Sequence, residues 1–496
     1  MHDYLVIGGG SAGCVVAAEL ARREAGTVMV VEAGPSEHHP LVSIPFGLIW
    51  LLGSRRDWAY RSAPMHAVGG RTIAIPRGRM VGGSGAINSM VWFRGRRSDF
   101  DGWNVPGWAW SDVEPAFEAV EIHLKPSRMD DPHVLTKGLA SMLGAKGQTI
   151  PTPEYESAGV VTNNVVRGRR NSAATAFLRP RTEVEVRTGC EVDALIWSGD
   201  RVSGVRLVDG GEIKAAKGVV LSSGSIGSPS ILMRSGVGPQ DHLSRLGIDA
   251  RIEAPEVGEN LHDHPGTGLH FEGSGTGYGL ELAQWPAWAW APFRYVLTRT
   301  GRLASPTVEG SAFFNARGDD AEPDVQSHFI PFYLDWQGRK YPLKSGYFAD
   351  VCLCRPKSRG SLRLMSKEAR AAPIIDLGLL RDDSDLETLT AGIERLRALL
   401  AKADFGPRRA VEAHPGPDVT GTALKDHIRG NAGTAYHPVG TLRLGGPVTA
   451  RLRVDGTENL WVADASVMPQ VTSANTNAPS MMIGWKAAEF IAEDAA

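Results

Sequence analysis

Apolar positions first appear as a short unbroken run, Tyr4 to Ile7, which stops at glycine and gives way to helix-forming residues from Ala12 to Ala21. The run is too short for a helix and reads as a buried strand. A second run, Thr27 to Val31, ends in Glu32. Between the first strand and the helix stand Gly8, Gly10 and Gly13, spaced Gly-x-Gly-x-x-Gly. In that setting Gly8 makes the tight turn, Gly10 lets the backbone approach a pyrophosphate, and Gly13 lets the helix pack on the strand. A diphosphate would rest on the free amides of the helix start, where the macrodipole favours negative charge. Glu32, roughly 20 residues beyond the glycines, offers a carboxylate to the adenosine ribose hydroxyls. Strand, helix, second strand and acid in register predict a dinucleotide site; glycines alone would mark only a tight turn.

The pattern loosens after Ala33-Gly34-Pro35, and a second glycine-rich stretch follows from Arg77 to Gly95. It lacks the six-residue spacing. Gly82, Gly83 and Gly85 suggest backbone pressed closely against something, with Asn88 pointing at it. Ser111 followed by Glu114 predicts a helix start with Ser111 as N-cap. Residues from about 125 to 170 are rich in Pro, Gly and Asn and predict a crossover between domains.

Glu183 to Thr188, Cys190 to Trp197, Arg201 to Asp209 and Glu212 to Leu221 are short β-branched runs separated by turns, which predict a hairpin ribbon beside the first sheet. Ser222 to Pro239 reads as a strand end, a loop and a helix with Pro229 near its first turn. Asp324 to Tyr333, Tyr347 to Pro356 and Ser361 to Met365 alternate like strands of another sheet, and Asp385 to Ala403 has helical periodicity. A second domain whose sheet walls a cleft is expected. Between these blocks, Trp285, Trp288, Trp290, Phe293 and Tyr295 form an aromatic cluster that reads as core or interface, with an entrance wall as the alternative. In the tail, Leu460 to Ala463 predicts a strand ending in Asp464, and Pro479 opens a last helix to about Ala492. Asn475 and Asn477 precede that anion-friendly helix start. His437 lies in a loop and, taken alone, reads as a structural histidine.

Composition narrows the class. At 496 residues the chain can bury a large core and is expected to form two interleaved domains. A net charge of −2 without a long basic run argues against nucleic acid as the main partner. No apolar stretch is long enough for a transmembrane segment, and the first strand begins almost at Met1, so a cytoplasmic location is expected. Cys14, Cys190, Cys352 and Cys354 show no disulfide spacing and receive no chemistry. His262-Asp263-His264 invites a metal reading, but without a third ligand nearby it reads as a loop contact, and no metal is assigned.

Four separated stretches together resemble the glucose-methanol-choline oxidoreductase family, flavoproteins that oxidise alcohols. They are the N-terminal fingerprint with Glu32, Arg77 to Gly95, Gly224 to Pro239, and the tail from His437 to Pro479, in the family's order. The resemblance implies an α/β protein with a Rossmann-like FAD-binding domain and an interleaved α+β substrate-binding domain built on an antiparallel sheet. The expected division is 1–155, 156–270 and 431–496 for FAD and 271–430 for substrate. It implies that Asn88 with Met90 and Val91 touches the isoalloxazine, that Val192 packs near the adenine, and that Asp464 and Asn477 hold ribityl, phosphate or the pyrimidine edge. Ser11, Ala12, Ala33, Trp58, Arg79, Gly83, Tyr436 and Ala465 complete the implied FAD contacts. Where some members carry a histidine bonded to the flavin, this chain has Ile87, so a non-covalent, dissociable FAD is expected.

The resemblance also places the catalytic histidine at His437 and the second catalytic position, His or Asn in the family, at Asn475. It implies that His437 takes the hydroxyl proton, that hydride passes to flavin N5, and that Asn475 fixes the substrate oxygen. The expected substrate is a small-molecule primary alcohol, aromatic or otherwise apolar, with oxygen or a quinone-type acceptor taking the electrons. Alternatives are a hydroxynitrile lyase of the same fold and a choline-type dehydrogenase in which Glu309 meets the cation. A nicotinamide dehydrogenase is disfavoured because the chain has only one such fingerprint. Nothing in the sequence sets the oligomeric state.

Overall fold

Two sheets divide the chain between them. The computed structural model describes residues 1–144, 147–319, 321–333, 343–408 and 410–495. In the first sheet the strands run Glu185–Arg187, Val28–Val31, His2–Ile7, Glu212–Leu221, Arg201–Leu207, Val192–Ser198, and Leu460–Val462 also pairs with Glu212–Leu221. His2–Ile7 is parallel to both of its neighbours, and Tyr4 to Ile7 are buried. Burial on both faces is what a continuous apolar run permits. The helix Ser11–Arg22 follows the glycine turn and packs on the last helix, Asn477–Ala495, so closely that a Cβ on Gly484 would lie 2.6 Å from Ala12 O.

The expected ribbon is only partly a ribbon. Val192 to Leu221 is an antiparallel meander, but Glu185–Arg187 joins the opposite edge, parallel to Val28–Val31, and Glu212–Leu221 is a central strand. Pairing partners far apart in sequence decided this, and local alternation does not carry that information.

The second sheet is antiparallel, in the order Val411–His414, Pro265–Glu272, Gly346–Leu353, Val325–Ile330, Gly310–Phe314, Ser157–Val160, with Gly433–Thr434 also pairing Pro265–Gly266. Ser157–Val160 lies within the stretch read as a crossover, so that stretch supplies an edge strand. Ser361–Arg363, expected in this sheet, pairs only with Ile374–Asp376 in a separate two-stranded piece. One face carries the helix Asp383–Leu400, where a Cβ on Gly392 would lie 2.9 Å from Val351 Cγ1. The alternate residues His328, Ile330, Phe348, Asp350 and Cys352 point the other way, into a cavity between the sheets.

Three local expectations need correction. The helix Trp110–Leu124 has Ala109 rather than Ser111 at its N-cap, because Asp112, not Glu114, accepts from the Ala109 N–H at 3.1 Å. Pro229 sits in the middle of the helix Gly224–Arg234; the Ser225 carbonyl, four residues before it, accepts from Thr441 Oγ1 at 2.8 Å instead. In the helix Trp285–Thr298, Ala291 and Tyr295 are buried and Trp288 packs inward, whereas Trp285, Trp290 and Phe293 are exposed rather than core. The four cysteines are free, and no helix among the described residues is long and apolar enough to cross a membrane.

Candidate active site

The strands His2–Ile7, Val28–Val31, Glu212–Leu221 and Leu460–Val462 end at Gly8, Glu32, Ser222 and, one residue further, Asp464. These carboxyl ends open onto one cavity of about 1760 Å³. Ligands of open parallel sheets bind at such ends. The cavity wall includes Gly8, Gly10, Ser11, Ala12, Glu32, Ala33, Trp58, Gly83, Asn88, Met90, Val91, Val192, Tyr436, His437, Asp464, Ala465, Asn475 and Asn477. Among the predicted residues, Gly13 and Arg79 are not on it. Gly13 lies beneath the turn, where a Cβ would meet Gly8 O at 2.0 Å; Arg79 stacks over the Trp58 ring at 4.8 Å and pairs with Glu191 at 3.1 Å.

The second glycine-rich stretch presses against the first. Gly83 has φ +52°, a Cβ there would lie 2.7 Å from Gly10 Cα, and Gly82 N–H donates to Gly9 O. Asn88 is held by its Oδ1, which accepts from Met90 N–H at 2.9 Å and from Arg170 Nη1 at 2.8 Å. Burial lowers the pKa of that arginine to about 9. Glu32 accepts from Gly9 N–H at 2.9 Å and Gly34 N–H at 2.7 Å; burial raises its pKa against those bonds. A carboxylate has further lone pairs, so capacity remains for hydroxyls. Asp464 differs: its oxygens accept from Gly224 N–H, Ser228 Oγ, Ser466 N–H and Ser466 Oγ at 2.5 to 2.9 Å. It ties the strand Leu460–Val462 to the helix Gly224–Arg234, so its carboxylate is already engaged.

On the other wall, His437 is joined to two partners that the loop sequence did not reveal. The segment 435–439 lies antiparallel to 262–264: Ala435 N–H donates to His264 O, and His262 bridges Val439. This zipper sets His437 Nδ1 2.9 Å from His264 Nδ1, while His264 Nε2 lies 2.9 Å from the Thr472 carbonyl. A carbonyl only accepts, so His264 carries its hydrogen on Nε2 and accepts through Nδ1. His437 therefore donates from Nδ1, leaving Nε2 as an acceptor, 3.2 Å from Asn475 Nδ2. Burial, with His264, His328 and Arg77 nearby, holds the His437 imidazolium pKa well below 6.5. Burial likewise lowers that of His264 to about 4.

Asn475 Oδ1 accepts from Gln326 Nε2 at 3.1 Å and faces His328 Nε2 at 3.3 Å. The other ring nitrogen of His328 meets Asp350 at 3.1 Å. Burial disfavours the charged ring, but the ion pair with Asp350 and the bonds to Asp350 and Asn475 outweigh it and raise the His328 pKa. The raised pKa favours the protonated ring behind the Asn475 amide more than in a free histidine. Cys352 Sγ also donates to Asp350, at 3.6 Å. The His328, Asp350 and Cys352 ligand atoms lie within 4.8 Å of one another, a spacing open to a metal ion, but here hydrogen bonds engage all three residues. The sequence does carry a signal for this set: polar residues at alternate positions of strands that otherwise read apolar, Gln326 and His328 on one and Asp350 on the next.

His262 and Asp263 play supporting parts. His262 Nε2 accepts from Val471 N–H and Nδ1 meets Asn260 O; Asp263 Oδ1 accepts from His437 N–H at 2.9 Å. Glu309, considered for a cationic substrate, does not line the cavity. It is buried and accepts from His133 N–H, Thr136 Oγ1 and Ser305 Oγ.

A nucleotide-sized groove that ends at a neutral buried imidazole is the layout of a redox enzyme working with a bound dinucleotide. A family model described as GMC oxidoreductase matches residues 2–266, and a second of the same description matches 356–484. The chain belongs to this family: it is an FAD-dependent oxidoreductase acting on CH–OH groups. It is 33% identical to "Alcohol dehydrogenase [acceptor]" of Pseudomonas putida, across 99% of this chain and 96% of the relative. It is also 33% identical to "Oxygen-dependent choline dehydrogenase" of Sinorhizobium fredii, across 99% and 95%. Among solved structures it is similar to formate oxidase (TM-score 0.91, 26% identity, 99% of this chain and 98% of that one). It is also similar to pyridoxine 4-oxidase from Mesorbium loti (TM-score 0.86, 27% identity, 98% of each).

The residues present fit FAD. Gly83 on the wall approaches the first turn so closely that a Cβ would lie 2.7 Å from Gly10 Cα, and Gly13 beneath lets the helix pack against that turn. At the start of the last helix, Asn477 Oδ1 accepts from Ser11 Oγ at 2.8 Å, while its buried Nδ2 has no partner among the described residues. A buried amide donor left unpaired costs free energy unless a ligand meets it.

Proposed function

We propose that this protein oxidises a primary alcohol, aromatic or otherwise apolar, to the aldehyde, with His437 as the base and Asn475 as the group that holds the alcohol oxygen. The observation that carries the reading is the His437–His264 bond, which leaves Nε2 of His437 as an acceptor on the cavity wall. An alcohol is a poor hydride donor while it keeps its hydroxyl proton, since the forming carbonyl needs the electrons of an alkoxide. Nε2 of His437 takes that proton, a role worth about 10² to 10⁴ in rate. Asn475 Nδ2 donates to the oxygen left behind, and His328, whose pKa Asp350 raises, stands behind that amide at 3.3 Å from Asn475 Oδ1. Bound FAD supplies the hydride acceptor.

FAD would be held by Gly8, Gly10, Ser11, Ala12, Glu32 and Ala33 on the nucleotide side, with Val192 by the adenine. On the flavin side stand Trp58, Gly83, Asn88, Met90, Val91, Tyr436, Asp464, Ala465 and Asn477. Ile87 offers no nucleophile for a covalent link. Residues 1–155, 156–270 and 431–496 form the cofactor unit and 271–430 the substrate unit, with Ser157–Val160, Pro265–Glu272 and Gly433–Thr434 counted with the latter because they pair in its sheet. Apolar substrates are supported by Ile49, Val91, Val308, Ile330 and Phe348 on the wall. For a choline-type substrate the acid on this wall, Asp350, is already paired with His328. Electrons leave to oxygen or a quinone-type acceptor. A cytoplasmic setting is supported by the four free thiols.

Anaerobic mixing with benzyl alcohol tests the reading. Bleaching of the flavin supports it. Unbleached flavin with cleavage of a cyanohydrin would replace it with a lyase.

A further inference from the structure

The helix Trp285–Thr298 turns an apolar face to water. Trp285 is 52% exposed, Trp290 58%, Phe293 62%, Val296 65% and Leu297 75%. At about 100° per residue these side chains share one arc of roughly 140°. The helix contains no Asp or Glu. Its inner side is firmly seated. Trp288 Nε1 donates to Gly279 O at 2.9 Å, its ring lies 5.4 Å from that of Phe46, and Tyr295 Oη donates to Gly168 O at 2.9 Å. Water around so many exposed aromatic and aliphatic groups is unfavourable, and a patch of this kind on a folded surface marks a docking face.

Charge identifies what docks. Arg294 and Arg299 flank the apolar arc, and the Tyr295 bond to Gly168 brings the exposed Arg167 and Arg169 to the same end. Asp131 offsets only Arg294, at 3.1 Å. Trp, Phe and Leu on one face with arginines at its margin is the pattern of a helix lying in a membrane interface. Packing of this helix on the same helix of a second copy offers these arginines no acid. We propose that this face docks on a lipid bilayer containing anionic headgroups, the helix lying parallel to the surface with Trp285, Trp290, Phe293 and Leu297 sunk into the acyl boundary. Beneath the helix, Trp288 packs on the buried Phe46, whose ring also meets that of the exposed Trp50; the neighbours of Trp50, Leu48, Ile49 and Leu52, line the cavity, so docking would bring that part of the cavity wall close to the membrane. The inference is independent of the reaction proposed above.

The test uses FAD-loaded protein and vesicles of phosphatidylcholine with or without phosphatidylglycerol. Wild type is expected to float with the mixed vesicles and less with phosphatidylcholine alone, and brominated acyl chains should quench its tryptophan fluorescence. W290E/F293E should bind at least about tenfold more weakly, given the apolar area each ring buries. R294Q/R299Q should lose the preference for phosphatidylglycerol. Dye-linked alcohol oxidation in solution and flavin content should be unchanged in both variants. Failure of wild type to float at low salt, equal flotation of W290E/F293E, or a wild-type dimer that this variant splits without any lipid binding would each overturn the proposal. Quenching by brominated lipid needs no variant, so a misfolded substitution leaves the decision intact.

Discussion

His437 Nδ1 lies 2.9 Å from His264 Nδ1, and this contact decides which nitrogen of His437 is left as an acceptor. Two neutral imidazoles can share one hydrogen between these atoms only if one ring donates, and the Thr472 carbonyl on the far side of His264 selects His437 as the donor. The tautomer of His437 is thus set by a carbonyl on the far side of a second ring.

His437→Ala should slow flavin reduction by about 100-fold or more while FAD stays bound. Anaerobic stopped-flow absorbance measures both, and reduction at the wild-type rate would remove His437 from the role. Asn475→Ala should lose less, and no loss would make it scaffold.

His264→Ala removes the acceptor of the Nδ1 hydrogen. Turnover should fall by about tenfold, the worth of one buried hydrogen bond. The His437 imidazolium pKa is held low by burial first, then by its neighbours, so the wild-type base stays neutral as pH falls below 6.5. Water entering beside His437 raises that value, and the acid limb of kcat should move to higher pH. His264→Asn, which keeps an acceptor, should move it back. An unmoved limb would leave His264 a structural residue only.

Asp350→Asn removes the anion that raises the His328 pKa. Burial then dominates and the His328 pKa falls. A cation needed for rate is present below its pKa and lost above it, so the alkaline limb of kcat/KM should shift to lower pH. A profile identical to wild type would count against a charged His328 behind Asn475.

Gly13→Ala places a methyl carbon 2.0 Å from Gly8 O, where backbone must move. The purified variant should carry little flavin, read from the ratio of visible to ultraviolet absorbance. Full flavin content would show that the turn has slack.

Acid precipitation should release the yellow colour into the supernatant, because Ile87 has no atom able to bond the flavin. Colour retained in the washed pellet would point to another attachment.

The amino-acid sequence alone determined the cofactor side. Strand, glycine turn, helix and Glu32 are contiguous, and each acts through local backbone geometry that residue type dictates. It also marked His437 and Asn475 through the motif around them. The substrate side was not legible in the same way. His264 and His328 stand 173 and 109 residues before His437, His437 Nε2 became an acceptor only through the antiparallel zipper with 262–264, and the His328 pKa rose only when sheet register set Asp350 beside it. Exposure of Trp290 and Phe293 was equally invisible, since a run of aromatics does not say which neighbours will cover it. Residue types fix what a side chain can do; pairing across the fold decides which proton it holds and what it faces, because hydrogen bonds and burial act through distances that the linear order does not contain.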